Sequence, residues 1–284
     1  MLYTKQAKKH IYFIGQNSHG SDESWAFRNA FIHKLRRELR SIVLVECPTI
    51  DLIVFTLRRF RKVNTGDMSY LTSSAYWWMR SEEFATFLHA LPATCVIAGI
   101  DLPLSTTLHE NYIKSIRLVP LAEQRLLISL LEFDRQSTLS MTGATPEQRE
   151  TAMAEKIGLA IQLDYELIFV ICHNFHATHT SWLHYPSLCQ TLENKFHGSI
   201  DITSYGVFSE NMTFLATPDG HSLSINSVRH ACKKMGNQTY RVKMISSLYR
   251  TETRDAMELI LNTPRHFDEF VIFPNGKCLT MELF

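Results

Sequence analysis

Residues 42–46 read IVLVE, a short run of apolar, mostly β-branched side chains that ends in a carboxylate. Such runs are typical of strands buried on both faces of a parallel sheet. Similar runs occur at residues 11–15 (IYFIG), 95–101 (CVIAGID) and 167–172 (LIFVIC), and helical patterns separate them. The alternation predicts an α/β fold with a mostly parallel central sheet flanked by helices. We expect one domain over residues 1–284, with a helical insertion at about 102–160 and C-terminal strands. Residues 200–208 and 212–216 could pair as further strands, and a helix near 253–261 and a strand pair at 270–273 and 278–283 would follow.

The composition excludes several classes of function. The net charge of +1 is too small to create a positive electrostatic field that would attract nucleic acid or an anionic membrane. No apolar run approaches the ~18 residues that a membrane helix needs. The six cysteines form no CxxC pair, so they indicate reduced thiols in a cytoplasmic protein. We therefore expect a small-molecule substrate and no nucleic-acid or membrane partner; the oligomeric state stays open.

Polar residues follow the apolar runs at the points where strands are expected to end. Glu46 and Asp101 end two of them, and His173 and His176 follow a third. In open α/β sheets this carboxyl edge is where ligands bind. An unpaired buried carboxylate is costly, so Glu46 should meet a cation, a histidine or a substrate, unless it simply faces water.

A second candidate is the segment GQNSHG at residues 15–20, between a strand and a helix. A neutral imidazole at His19 can accept a proton near neutral pH, as a general base must. The alternative is a histidine that merely caps the loop. His173 and His176 have a spacing that could bind zinc, with Glu46 as the third ligand, but no HExxH motif is present. Trp77, Trp78 and Arg80 either wall a pocket or fill the core.

Taken in order, the motifs resemble the erythromycin esterase family, which includes succinoglycan biosynthesis-like proteins. The matching segments are GQNSHG at 15–20 with Glu23 and Arg28, VLVEC at 43–47, YWWMR at 76–80, IAGID at 97–101, ICHNFH at 171–176, SYGVFSENMTF at 204–214 and HFDEFVIF at 266–273. Together they cover nearly the whole chain.

This resemblance implies a hydrolase in which a histidine activates water against a lactone, ester or amide. His19 would be the general base, and Glu46, His173 and His176 would complete the catalytic set. No cofactor or obligatory metal is expected, although a divalent metal stays conceivable. The implied substrate-binding residues are Gln16, Glu23, Arg28, Trp78, Arg80, Asp101 and Asn174. Gln16 replaces the acid of the family pattern, and an amide side chain cannot exchange a proton.

Three other functions fit the same residues. A dry pocket could pass an acyl group to an amine or hydroxyl, as in a biosynthetic transferase or cyclase. A metal at the histidines would instead favour a peptidase. A non-catalytic binding protein would bind its ligand unchanged.

Overall fold

The structure is a computed structural model, and it describes residues 8–16, 22–36, 39–60, 76–92, 95–103, 116, 121–137, 139–181, 184–209, 212–215, 222–225, 240–243 and 267–273. The strands are β1 (Lys9–Ile14), β2 (Ser41–Pro48), β3 (Val96–Asp101), β4 (Leu167–Ile171), β5 (Ile200–Ser209), β6 (Met212–Leu215), β7 (Ser222–Ile225), β8 (Tyr240–Lys243) and β9 (Glu269–Phe273). The helices are α1 (Asp22–Arg36), α2 (Thr49–Phe60), α3 (Glu82–Ala90), α4 (Leu121–Gln136), α5 (Pro146–Ile161), α6 (Asn174–Ala177) and α7 (Leu188–Lys195), with a 3₁₀ turn at Trp77–Arg80.

Seven of these strands form one sheet in the order β3-β2-β4-β1-β5-β9-β8. In that order, all neighbouring strands from β3 through β2, β4, β1 and β5 to β9 pair parallel. The edge strand β8 pairs antiparallel with β9. The predicted α/β fold with a mostly parallel sheet is confirmed.

Both faces of the sheet are covered, which explains the continuous apolar runs. Along β2, Ile42 and Leu44 pack into one core cluster while Val43 and Val45 pack into the other. This alternation is the two-residue period of a strand between two helical layers. One layer includes α4 and α5, and the other includes α1 and α3.

The helices between β3 and β4, in the segment predicted as an insertion, contribute directly to the core. Leu130 of α4 and Met153 of α5 are fully buried in the first cluster. The connection that carries them therefore also builds one of the two layers.

The C-terminal strands differ from the sequence prediction in their pairing. Residues 200–208 and 212–216 were expected to pair with each other, but β6 pairs antiparallel with β7 in a separate sheet. β5 instead lies between β1 and β9 in the main sheet and pairs parallel with both. The predicted helix near 253–261 and strand at 278–283 lie outside the described residues. Among the described helices, none has the length and apolar character needed to cross a membrane.

Gly99 of β3 lies where two strands approach each other closely. A Cβ atom there would come under 3.0 Å from the carbonyl oxygens of Cys47 and Pro48 in β2. We predict that Gly99→Ala lowers the free energy of unfolding by about 1–3 kcal/mol, because backbone atoms would have to move. Gly143→Ala is the control, since its Cβ would meet only the Ser140 hydroxyl at 3.5 Å. Urea unfolding measures both, and equal stability of the two variants would contradict the prediction.

Candidate active site

Ionisable side chains meet at the carboxyl edge of the sheet, beyond β2, β3 and β4. They are Glu46, Asp101, Arg149, Glu150 and His176. The strand carrying Glu46 is irregular here: Val45 pairs with Gly99 and Pro48 with Asp101, so β2 has one extra residue. A bulge of this kind redirects a side chain, and it falls at the position of Glu46.

Arg149 joins the two strand-end carboxylates. Its Nε donates to Oδ1 of Asp101 at 2.9 Å, and its Nη2 donates to Oδ2 of the same carboxylate and to Oε1 of Glu46 at 2.7 Å. Arg149 lies in the first turn of α5, where Thr145 forms a capping box with Gln148. This cap fixes where the helix begins beside the sheet edge, and so it fixes the backbone position of Arg149.

His176 lies between two carboxylates and is 6% exposed. Its Nε2 is 3.1 Å from Oε1 of Glu46, and its Nδ1 is 2.5 Å from Oε1 of Glu150. Burial alone would lower the pKa of His176, but the charges of Glu46 and Glu150 outweigh it and raise the pKa to about 10. His176 is therefore an imidazolium at neutral pH, suited to holding positive charge rather than to accepting a proton.

His173 contributes mainly through its backbone and its position. Its N–H donates to Oε2 of Glu46 at 2.6 Å, and its Nδ1 accepts from the N–H of Phe175 at 3.4 Å as the cap of α6. The capped single turn brings His176 back toward Glu46. The side chain of His173 itself is only partly buried.

Asp101 is fully buried and accepts from several donors besides Arg149. The Tyr76 hydroxyl donates to its Oδ2 at 2.6 Å, and the N–H of Leu102 donates to its Oδ1 at 2.8 Å. Burial, together with the negative charge of Asp101, raises the pKa of Tyr76, so this phenol stays neutral. Lys156, also fully buried, donates to the Asp101 carbonyl at 2.6 Å and forms an ion pair with Asp134.

Arg28 of α1 is a fully buried cation beside the end of β1. Its Nη2 donates to the carbonyl of Gly15 at 3.3 Å, and its guanidinium lies 4.4 Å from the centre of the Trp25 ring. Its Nε and Nη1 have no hydrogen-bond acceptor among the described residues. The pKa of Arg28 falls to about 9 because burial lowers it more than the electrostatic effects of Cys172 and Glu46 raise it.

Gln16 and Asn174 join the ends of three strands. Gln16 is fully buried, and its backbone carbonyl accepts a hydrogen bond from the backbone N–H of Asn174 at 2.8 Å. The Asn174 amide donates to the carbonyl of Val207 at 3.0 Å and accepts from the Val207 N–H at 3.2 Å. In this structure the Asn174 side chain therefore ties the loop after β4 to β5.

The remaining predicted residues lie elsewhere or outside the described chain. Trp78 is 1% exposed and stacks on Trp25 at 5.6 Å, within the core layer of α1 and α3. Glu23 lines a groove between these two helices, and Arg80 ends the turn before α3. His19 belongs to residues 17–21, which the structure does not describe, and the same holds for the side chain of Trp77.

Glu46, Asp101, His173 and His176 thus come together at the predicted edge. Sequence reasoning missed Arg149, Glu150 and Tyr76. The available signal was the segment TPEQRE at 145–150, which predicts a helix start with an adjacent Arg–Glu pair in its first turn.

No protein-family model and no curated protein matches the sequence. Solved structures do match. A succinoglycan biosynthesis protein superposes with a TM-score of 0.66 at 12% identity, over 97% of this chain and 90% of the other. The erythromycin esterase EreC, in an open conformation with one histidine replaced by asparagine, gives 0.57 at 15% identity over 94% and 90%. The chain has an erythromycin esterase-like fold.

A further match supports the same fold. A protein from Bacillus cereus superposes with a TM-score of 0.57 at 13% identity, over 97% of this chain and 90% of the other. These likenesses cover 94–97% of this chain. At such low identities they establish the erythromycin esterase-like fold, and any reaction has to be inferred from the residues of the site.

Proposed function

We propose that this chain is a hydrolase of the erythromycin esterase type, acting on a lactone, ester or amide. The observation that carries the proposal is the charged cluster at the carboxyl edge, where Glu46 accepts from Arg149, His173 and His176. A buried arrangement of cations and carboxylates at this edge is typical of a reaction centre that stabilises developing charge.

The base in this proposal is His19, which lies in the sequence between β1 and α1. His176 is a poor base because it remains protonated at neutral pH between Glu46 and Glu150. β1 lies next to β4, so the loop after β1 begins beside the residues that follow β4. The backbone hydrogen bond between Gln16 and Asn174 supports the proximity of these two segments.

The reaction follows from these assignments. His19 removes a proton from water as the water oxygen attacks the carbonyl carbon, and the carbonyl oxygen becomes an oxyanion. The guanidinium of Arg28 and the cations around Glu46 stabilise that charge. The bond to the leaving oxygen or nitrogen then breaks, and that atom takes the proton from His19.

The predicted cytoplasmic location forms part of the same proposal. Cys47, Cys172 and Cys189 form no disulfide among the described residues, which suits a reducing compartment. The remaining substrate contacts proposed from the sequence are Gln16, Asp101 and Asn174 at the edge, and Glu23 and Arg80 beside α3, whereas Trp78 belongs to the core.

Transfer of the acyl group to an amine or hydroxyl is a second candidate. The buried, neutral Gln16 stands where the family pattern has an acid, so water activation could be weaker here. The similarity to a protein described as functioning in succinoglycan biosynthesis also supports a biosynthetic role.

We expect the purified protein to add one water to at least one member of a panel of macrolides, simple lactones, esters and amides. Product masses measure this, and His19→Ala should abolish the product while His184→Ala, at an exposed histidine, should not. Acyl exchange onto an added amine would instead favour transfer. Hydrolysis that survives in His19→Ala would contradict the proposed base.

A further inference from the structure

A second cluster of polar side chains lies away from the Glu46 site. It contains His179, two residues beyond α6, Cys189 and Glu193 of α7, and Asp268, just before β9. Nδ1 of His179 is 2.7 Å from Oε1 of Glu193 and 3.6 Å from Sγ of Cys189. Among the described residues, these three offer ligand atoms that all lie within 4.8 Å of one another.

The spacing of the ligand atoms suits a tetrahedral ion. Cys189 and Glu193 are four residues apart on α7 and so share one face of the helix. Sulfur and nitrogen ligands at usual zinc distances are separated by about 3.6 Å across a tetrahedral angle. The observed separation of Sγ and Nδ1 is 3.6 Å. Nitrogen and oxygen ligands need about 3.3 Å, so Glu193 would have to withdraw by about half an ångström.

Asp268 gives the cluster the outer partner that metal-binding histidines usually have. Its Oδ2 is 2.9 Å from Nε2 of His179 and also accepts from the N–H of Ser204 at 2.7 Å. The N–H of Asp268 donates back to the carbonyl of Ser204 at 3.0 Å. A carboxylate held in this way fixes the histidine ring with its other nitrogen toward the metal. Nδ1 accordingly faces Cys189 and Glu193.

We propose that Nδ1 of His179, Sγ of Cys189 and the carboxylate of Glu193 bind one Zn²⁺ ion, with water as the fourth ligand. Thiolate, imidazole and carboxylate together form a donor set that suits zinc. On binding, the thiol gives up its proton, and so does Nδ1 where it carries one. The buried Cys189 anchors the site, while Glu193, with its side chain 38% exposed, leaves an entry for the ion.

Such an ion would join the segment after α6 to α7. Because His179 follows His176 by three residues, zinc would also brace the segment that leaves the Glu46 site. The inferred binding of the ion does not depend on whether the chain is a hydrolase.

The test is metal binding by the full chain, stripped with a chelator and kept reduced. Cobalt should bind at one ion per chain and give a thiolate-to-metal charge-transfer band, and zinc should displace it. Cys189→Ala should abolish the band, while Cys95→Ala, which removes another buried thiol, should retain it. Asp268→Asn should weaken zinc affinity by about 10–100-fold.

Stability provides a second readout, since zinc should raise the Tm of the native sequence and of Cys95→Ala but not of Cys189→Ala. If Cys189→Ala does not fold, Glu193→Gln replaces it and should weaken zinc binding at least about tenfold. A native chain that shows no cobalt–thiolate band, or a Cys189→Ala variant that binds zinc as tightly as the native chain, would overturn the proposal.

Discussion

Replacing Arg149 with methionine should lower the free energy of unfolding by about 3–5 kcal/mol. The guanidinium bonds to both Asp101 and Glu46, whose side chains are 0% and 5% exposed. Removing it leaves two buried carboxylates without their shared cation, and a buried charge without compensation is costly. Methionine keeps much of the side-chain volume, so the loss reports on charge rather than on packing. Urea unfolding at neutral pH measures it.

Two variants separate this electrostatic effect from other causes. Arg149→Met combined with Asp101→Asn should recover part of the lost stability, because one of the two buried charges is then absent. Arg135→Met, at an exposed arginine of α4, should change stability by no more than about 0.5 kcal/mol. A loss below about 1 kcal/mol for Arg149→Met, or a double variant less stable than the single one, would contradict the account.

The convergence of Glu46, Asp101, His173 and His176 could be predicted because it depends on local patterns. Each follows an apolar run, and parallel strands end at the same edge, so the residues are expected to share that edge. The strand order β3-β2-β4, which comes from the structure, makes the three runs neighbours. None of these steps requires knowledge of side-chain contacts far apart in the chain.

Arg149 and Glu150 could not be predicted in the same way. Arg149 contacts Glu46 across 103 residues of sequence, and nothing in the helix pattern of 146–161 specifies which strand its first turn will meet. The role of Trp78 was open for a similar reason. An aromatic side chain fits both a pocket wall and a core, and only its stacking on Trp25 decides between them.

The charge balance of the site also emerges only in three dimensions. Glu46, Asp101 and Glu150 are matched by Arg149 and by the protonated His176, with Arg28 nearby. The cluster therefore carries close to zero net charge in the resting state. Its cations are fixed before any reaction begins, which is the preorganisation that stabilisation of an oxyanion requires.

Removing the imidazolium with His176→Asn should lower the free energy of unfolding by about 3–5 kcal/mol near neutral pH. Asparagine can still form hydrogen bonds, but it leaves Glu46 and Glu150 without the cation between them. Two carboxylates around an uncharged group repel each other, whereas the native pair attracts His176 from both sides.

The pH dependence identifies the cause. The pKa of His176 rises from 6.5, its ordinary value, to about 10 in the folded protein. A raised folded pKa means that the stabilisation is fully present below 6.5 and is lost as the pH rises through about 10. As the pH rises between those values, the native protein should lose the stabilisation that comes from protonated His176. His176→Asn has no such stabilisation to lose. The difference in unfolding free energy between the two should therefore shrink steadily toward high pH.

Urea unfolding of both proteins across this range measures the difference, in which titrations common to both cancel. His184→Asn, at an exposed histidine, should follow the native curve throughout. Parallel curves for the native protein and His176→Asn would mean that His176 is neutral in the folded state. The carboxylates would then lack their proposed counter-charge, and His176 would itself become available as a base. The pH profile thus decides whether proton transfer at this edge must be assigned to a residue outside the Glu46–His176–Glu150 cluster.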